Sequence, residues 1–428
     1  MLDKAPLPHG MDLAHENFAV SGPDLILGGV SVRAVAEEFG TPAFIYDGGV
    51  MRRHYRALAE TLSGFAAVHY SVKANPLREI IALFLAEGAG VEIASVGEYR
   101  AARAAGARPE QILFAGPGKR QRELEEVIGE GIGEIHLESF EEAERVDRIG
   151  EALGKTIKVG LRINPVPSAQ AGAMRMGGKP TAFGFCEEDL AETIARIGGH
   201  AHVDLVGIHV YGGSQILDAQ GLIDQWRHAI GIAAETARLL GRPLETIDLG
   251  GGLGIPYYAG EKSFDLATLK AGLPDLAALL AADPLLADAR VVVEPGRFIA
   301  GPGGIYVAEI NAVKNARGTR FAVTDGGMHH HLAASGNLGQ IIKRNYPILA
   351  PARMNDAAVV ATTVVGPLCT PLDTLGRDVM LPELGAGELV AVLQSGAYGP
   401  TASPGNFLSH PPAVEVLVED GRAHLLER

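Results

Sequence analysis

The chain has 428 residues, a formal charge of −14 at pH 7 and a hydrophobic share of 47%. That length holds two or three domains with full cores, and the acidic balance excludes sequence-independent nucleic-acid binding, which needs a basic surface. Cys186 and Cys369 are the only cysteines, so neither a disulfide framework nor a cysteine-based zinc cluster is available. Met1 to Gly10 lack the basic-then-apolar layout of a signal peptide, and no uncharged apolar run reaches membrane-spanning length. A cytoplasmic protein without a membrane partner is the expectation.

Residues 25–27 and 44–46 are short β-prone runs near the start of the chain. From there on, β-prone runs recur at 66–72, 91–94, 112–115, 134–137, 158–163, 205–210, 246–249 and 290–293. Between them lie stretches with helical spacing, such as 78–87, 97–105, 121–130, 140–153 and 224–240. Eight strands alternating with helices predict a (β/α)8 barrel over residues 46–300, with a doubly wound open sheet as the competing arrangement. After residue 300, the runs 305–313, 320–324, 357–365, 389–393 and 414–419 follow one another with Gly- and Pro-rich turns and no regular helices. They predict a mainly antiparallel β-sandwich or barrel domain built from 301–428 together with 1–45.

Function in such a barrel collects at the C-terminal ends of its strands. Those positions hold Lys73, Glu92, Arg162, His209, Tyr211, Ser214, Gly250-Gly251-Gly252, Glu294 and Arg297. A lysine held in a pocket can lose its proton and form a Schiff base with an aldehyde such as that of pyridoxal phosphate. Consecutive glycines let backbone N–H groups wrap an anion, and phosphate is the usual guest after the late strands of such barrels. Glu294 ends the apolar strand Val291-Val292-Val293, where its carboxylate can keep a pyridine nitrogen protonated, and Arg297 can bind phosphate. Farther along, Gly366-Pro367-Leu368-Cys369-Thr370-Pro371-Leu372-Asp373 places a thiol in a turn, and Gly396-Ala397-Tyr398-Gly399 places a phenol in another.

Six motifs in order, His69-Tyr70-Ser71-Val72-Lys73-Ala74-Asn75, His209 through Ser214, the triple glycine, Glu294-Pro295-Gly296-Arg297, Gly366-Pro367-Leu368-Cys369 and Gly396-Ala397-Tyr398-Gly399, resemble the fold-type III pyridoxal-phosphate decarboxylases, the family of diaminopimelate and ornithine decarboxylases. The resemblance implies pyridoxal phosphate as cofactor, Lys73 as its Schiff-base lysine, and Glu92, Arg162, His209 and Tyr211 around it. Ser214, Gly251, Gly252, Arg297 and Tyr398 would hold the phosphate, with Glu294 facing the pyridine nitrogen. It further implies a homodimer in which Cys369 reaches the partner's site as proton donor. A racemase on the same barrel and a catalytically silent cofactor-binding homologue are the alternatives; the thiol favours decarboxylation, which needs a single proton donor after carbon dioxide leaves.

Three departures bear on the substrate. Tyr211 stands where diaminopimelate decarboxylases carry a second histidine that stacks on the cofactor. Thr370 stands where an acidic residue binds the substrate's distal amine, leaving Asp373 as the nearest carboxylate. After Asp325-Gly326-Gly327-Met328 the chain reads His329-His330-His331-Leu332-Ala333, with Ala333 in place of a carboxylate-binding arginine. Thr370, Asp373 and His331 are therefore the candidate substrate contacts, and free diaminopimelate is not the expected substrate. These features resemble a divergent branch of the family, found with exopolysaccharide-export systems and with antibiotic or siderophore biosynthesis, some members of which act on carrier-tethered amino acids. Arg175 and Lys179, in a Gly-rich stretch that also resembles that branch, are candidate contacts to a substrate carboxylate or a carrier arm. Adjacent histidines point in different directions, so no metal is expected at 329–331.

Overall fold

The structure is a computed structural model that describes residues 9–166, 174–175, 181–338, 340 and 343–427. Its packing separates a barrel unit, Tyr55–Gly254 with Ser263–Gly296, from a β unit, Met1–His54 with Ile255–Lys262 and Arg297–Arg428.

The barrel strands are β1 (Ala67–Ser71), β2 (Gly90–Ile93), β3 (Ile112–Phe114), β4 (Glu134–Leu137), β5 (Ile157–Asn164), β6 (Val203–Val210), β7 (Thr246–Asp248) and β8 (Arg290–Val293). Each pairs in parallel with the next, and β8 pairs with β1, so the ring closes and the open sheet is excluded. Seven helices fill the crossovers: α1 (Arg78–Ala86), α2 (Val96–Ala104), α3 (Gln121–Glu130), α4 (Phe140–Leu153), α5 (Leu190–Ile197), α6 (Ala219–Leu240) and α7 (Leu266–Ala282). Their ends follow local chemistry. Ser95 and Ser139 cap α2 and α4 by accepting from Glu98 N and Glu142 N, and the left-handed Gly131 and Gly154 stop α3 and α4. Strands buried on both faces read as apolar runs, yet β4 buries Glu134 and His136, two residues apart and so on one face. Polar groups inside a barrel are costly unless they serve each other or a ligand.

In the β unit the long strand Gly304–Ala316 is the hub. It pairs antiparallel with Thr319–Thr324 along one half and with Ala43–Asp47 and Leu389–Val392 along the other. Val360–Val365 joins Thr319–Thr324 in parallel, and Val414–Glu419 joins Ala43–Asp47 in parallel, so the sheet is mixed. Ile45, Ile305, Val307, Ala391, Val416 and Val418 form its buried core. Two details differ from the sequence reading. Asp24–Leu27 does not enter this sheet but pairs with Ala19–Ser21 and Val30–Ser31 in a separate three-stranded one. Thr374–Leu381 is an unforeseen strand, because register shifts and a positive φ of 49° at Asp378 interrupt its alternation. Among the described residues, no helix is long and apolar enough to cross a membrane.

Candidate active site

Lys73 lies in a single helical turn directly after β1. Its Nζ is 3.1 and 3.2 Å from the two carboxylate oxygens of Glu92. The strand register sets Glu92 beside Ser71, whose Oγ donates to the same carboxylate. The lysine side chain is 44% exposed and its carboxylate partner 1%. A buried anion thus holds a reachable amine at the strand end.

The turn after β7 is packed so tightly that side chains cannot enter. A Cβ on Gly251 would come 2.3 Å from Glu294 O, and one on Gly252 (φ +106°) 2.8 Å from Gly213 O. Gly250 N donates to Asp248 Oδ1 at 2.8 Å. Tyr211 borders this turn, its Cδ2 lying 3.0 Å from where a Gly250 Cβ would be. Ser214, partly exposed, pairs with Met174 in a two-stranded ribbon.

Beneath the turn lies a buried titratable cluster. His209 Nε2 is 3.3 Å from Glu294 Oε2, and its ring is 4.6 Å from that of His136. One ligand-type atom from each of His136, His209, Asp248 and Glu294 falls within a 4.8 Å group. Asp248 Oδ2 and Glu294 Oε1 have no donor among the described residues. Two ionised carboxylates cannot satisfy each other, so one must carry a proton. Burial and the Glu294 charge push the Asp248 carboxyl well up. Burial alone would raise Glu294 too, but His209, a hydrogen bond from Asp248 and the Lys73 charge bring it well below the usual range. The proton therefore sits on Asp248 and the charge on Glu294. Burial lowers the His209 pKa against the opposing pull of Glu294. Asp248 and His136 were not foreseen as site residues, although Asp248 lies only two residues before the glycine triplet.

Arg162 pairs with Glu138 at 2.7 Å; both are buried, and Glu138 also accepts from Gly116 N and Gly184 N. Glu98, at the start of α2, accepts from Ala94 N, and its carboxyl is pushed up to about 7, first by burial and then by the nearby Glu92 charge. Its folded pKa lies above the ordinary 4.5, so the folded protein holds more protons between the two values. The stability from this group is full below about 4.5 and is lost as pH rises through about 7. The stability difference between wild type and Glu98→Gln, measured by urea unfolding across that window, should therefore decline with rising pH. A constant difference would refute the assignment.

In the β unit, Arg297 donates from NH1 to Tyr257 OH at 2.7 Å, and its guanidinium lies 4.5 Å from the centre of the Tyr398 ring. Its Nε is buried without a partner among the described residues. Cys369 is exposed and Thr370 half-buried. Asp373, expected to meet substrate, is 2% exposed, and its two oxygens accept from Met328 N and Leu368 N. It shapes the Cys369 turn from inside. His331, also expected at substrate, is fully buried beside Phe44, Tyr306 and Tyr346, bonded to Ser395 Oγ at 3.0 Å, and burial lowers its pKa to about 3. Neither side chain is placed to grip a ligand directly. Lys179 and the side chain of Arg175 lie outside the described residues.

Pyridoxal phosphate fits this inventory. Lys73 offers a reachable amine, Glu294 a buried anion for a pyridinium N–H, and the glycine turn a cradle closed to side chains. A parallel barrel with these groups at its strand ends defines the class of barrel enzymes that work through this cofactor. The model of the family "Pyridoxal-dependent decarboxylase, pyridoxal binding domain" matches residues 49–301. The chain belongs to that family and is a pyridoxal-phosphate-dependent amino-acid decarboxylase. It is 37% identical to the L-glutamyl-[BtrI acyl-carrier protein] decarboxylase of Niallia circulans, over 93% of each chain. It is 31% identical to the diaminopimelate decarboxylase of Aquifex aeolicus, over 95% of this chain and 93% of that one. The crystal structure of diaminopimelate decarboxylase from Helicobacter pylori complexed with L-lysine superposes with a TM-score of 0.82 at 27% identity, covering 92% of this chain and 96% of that one.

Proposed function

We propose that this enzyme removes the α-carboxylate of an amino acid whose side-chain carboxyl is tethered to a carrier as a thioester, with glutamate the leading candidate, and that it does so as a homodimer with residues 46–300 as the cofactor-binding domain. The observation that carries this reading is the pair Thr370 and Ala333, which stand where a distal ammonium and a distal carboxylate would be gripped. α-Decarboxylation requires a free α-amine and α-carboxylate, so a tether must use the side chain, and its distal end is then a neutral acyl group that needs neither grip. The 37% identical relative is named for such a substrate.

When bound, pyridoxal phosphate supplies the electron sink for the Cα carbanion that remains after carbon dioxide departs. Lys73 would anchor the cofactor through its amine. Glu294 keeps the pyridine nitrogen protonated, and Asp248 and His209 beneath it hold Glu294 in its charged form. Gly251, Gly252, Ser214, Arg297 and Tyr398 would hold the phosphate, Tyr211 would offer its ring to the cofactor, and Glu92 and Arg162 with Glu138 would orient the pocket wall. Cys369 Sγ–H of the partner subunit delivers the proton to Cα.

Carbon dioxide release should be seen with the side-chain thioester of L-glutamate and not with free diaminopimelate or free glutamate; turnover of free diaminopimelate defeats the reading. Cys369→Ala should lose turnover by about 10²–10⁴-fold, the range for a missing general acid, with the cofactor still bound. Mixing inactive Cys369→Ala with inactive Lys73→Ala should restore activity at about a quarter of the sites, since random exchange makes half the dimers mixed and each mixed dimer has one intact site. No recovery would overturn the shared site.

A further inference from the structure

We infer that a cavity in the β unit binds the phosphodiester of a carrier's phosphopantetheine arm; this rests on the carrier-tethered reading above. The cavity has a volume of about 400 Å³, and its lining includes Lys343, Arg344 and Arg377 beside Tyr258, Ser335 and Asn345. Three cations around one cavity are notable in a chain of net charge −14. Arg344 is 3.4 Å from Glu261, whereas Lys343 and Arg377 make no ion pair with any described residue.

The wall is built rather than loose. Asn345 Nδ2 donates to Arg377 O at 2.7 Å and Asn345 Oδ1 accepts from Arg377 N at 2.9 Å, which ties the two edges together. Lys343 Nζ donates to Asn337 Oδ1 at 2.6 Å, and the Arg344 guanidinium lies 3.6 Å from the centre of the Tyr258 ring. Guanidinium and ammonium groups presented together match a phosphate's oxygens.

Position decides the ligand class. Tyr258 contacts Tyr346, Tyr346 lies 4.4 Å from Tyr257 between ring centres, and Tyr257 accepts from Arg297. The cavity is thus one layer of tyrosines from the arginine assigned to the cofactor phosphate. A phosphopantetheine arm, extended to roughly 15–20 Å by ordinary bond geometry, is longer than one layer of side chains is thick, so its phosphate can occupy the cavity while its thioester lies elsewhere. Lys343 and Arg344 follow Ala333, which stands in place of the carboxylate-binding arginine, by about ten residues. Loss of a carboxylate grip and gain of a phosphate grip then belong to the same change of substrate.

The test compares the L-glutamate side-chain thioesters of phosphopantetheine and of phosphate-free pantetheine on the holoenzyme. In the double variant Lys343→Ala/Arg377→Ala, KM for the phosphorylated thioester should rise tenfold or more, with kcat and the KM of the phosphate-free thioester unchanged. Arg377→Lys should retain most of the wild-type KM, and unaltered visible absorbance of the bound cofactor checks that the variants fold. Equal KM values in wild type and double variant overturn the site while leaving the carrier-tethered reading intact. Wild type that turns over only free amino acids overturns both. Inorganic phosphate competing as strongly as free phosphopantetheine makes this a free-phosphate site and overturns the carrier assignment.

Discussion

Lys73→Ala should purify colourless and turn over substrate at least about 10³-fold more slowly, as expected when a group that acts directly on the reacting atoms is removed. The lysine's amine lies at a barrel strand end 3.1 Å from a buried carboxylate, and unlike that of Lys119, which is buried against Glu142, its side chain is 44% exposed. Removing it also strands Glu92, which is 1% exposed and would keep Ser71 as its side-chain donor among the described residues. The variant should therefore lose some stability as well, by about 1–3 kcal/mol for a buried charge deprived of one partner. Absorbance, borohydride reduction followed by mass spectrometry, and carbon dioxide release read the three effects apart. A covalent, borohydride-reducible cofactor retained in Lys73→Ala would remove this residue from its assigned role.

Glu294→Gln should keep the colour and lose turnover by about 10²–10³-fold, the scale of one preorganised electrostatic group. An amide is neutral and cannot hold a pyridine nitrogen in its protonated state, yet it fills the same space. The substitution also removes the charge that helps raise the Asp248 carboxyl, although burial, the larger cause, remains. Infrared difference spectra of the cofactor-free protein provide a readout independent of turnover. Wild type should show the C=O stretch of a protonated buried carboxyl, and Asp248→Asn should lack it. Wild-type turnover in Glu294→Gln defeats the assignment of Glu294, and an unchanged band in Asp248→Asn defeats that of the proton.

The barrel strands were readable to within a residue or two because a strand between turn residues is a local pattern. β7 and β8 illustrate this, since the Gly250 turn and Pro295 end them where the expected runs ended. The strand-end positions were readable for the same reason: Lys73, Glu294 and the glycines sit at fixed offsets from those ends. Asp373 and His331 were not. Both lie in irregular segments, where spacing says nothing about which way a side chain faces, and the surrounding sheet turns each of them inward. The 255–262 segment likewise carries no local sign that it packs with the β unit.

By itself, then, the order of residues determined a parallel barrel and the cofactor it is built for, because strand ends and motif offsets are properties of neighbouring positions. Only the tertiary structure decided that Asp248 carries the proton while Glu294 keeps the charge. That division arises from residues on β4, β6, β7 and β8 meeting in one dry interior. The same holds for the cavity of Lys343, Arg344 and Arg377, since chain segments more than thirty residues apart must be hydrogen-bonded edge to edge before their charges add.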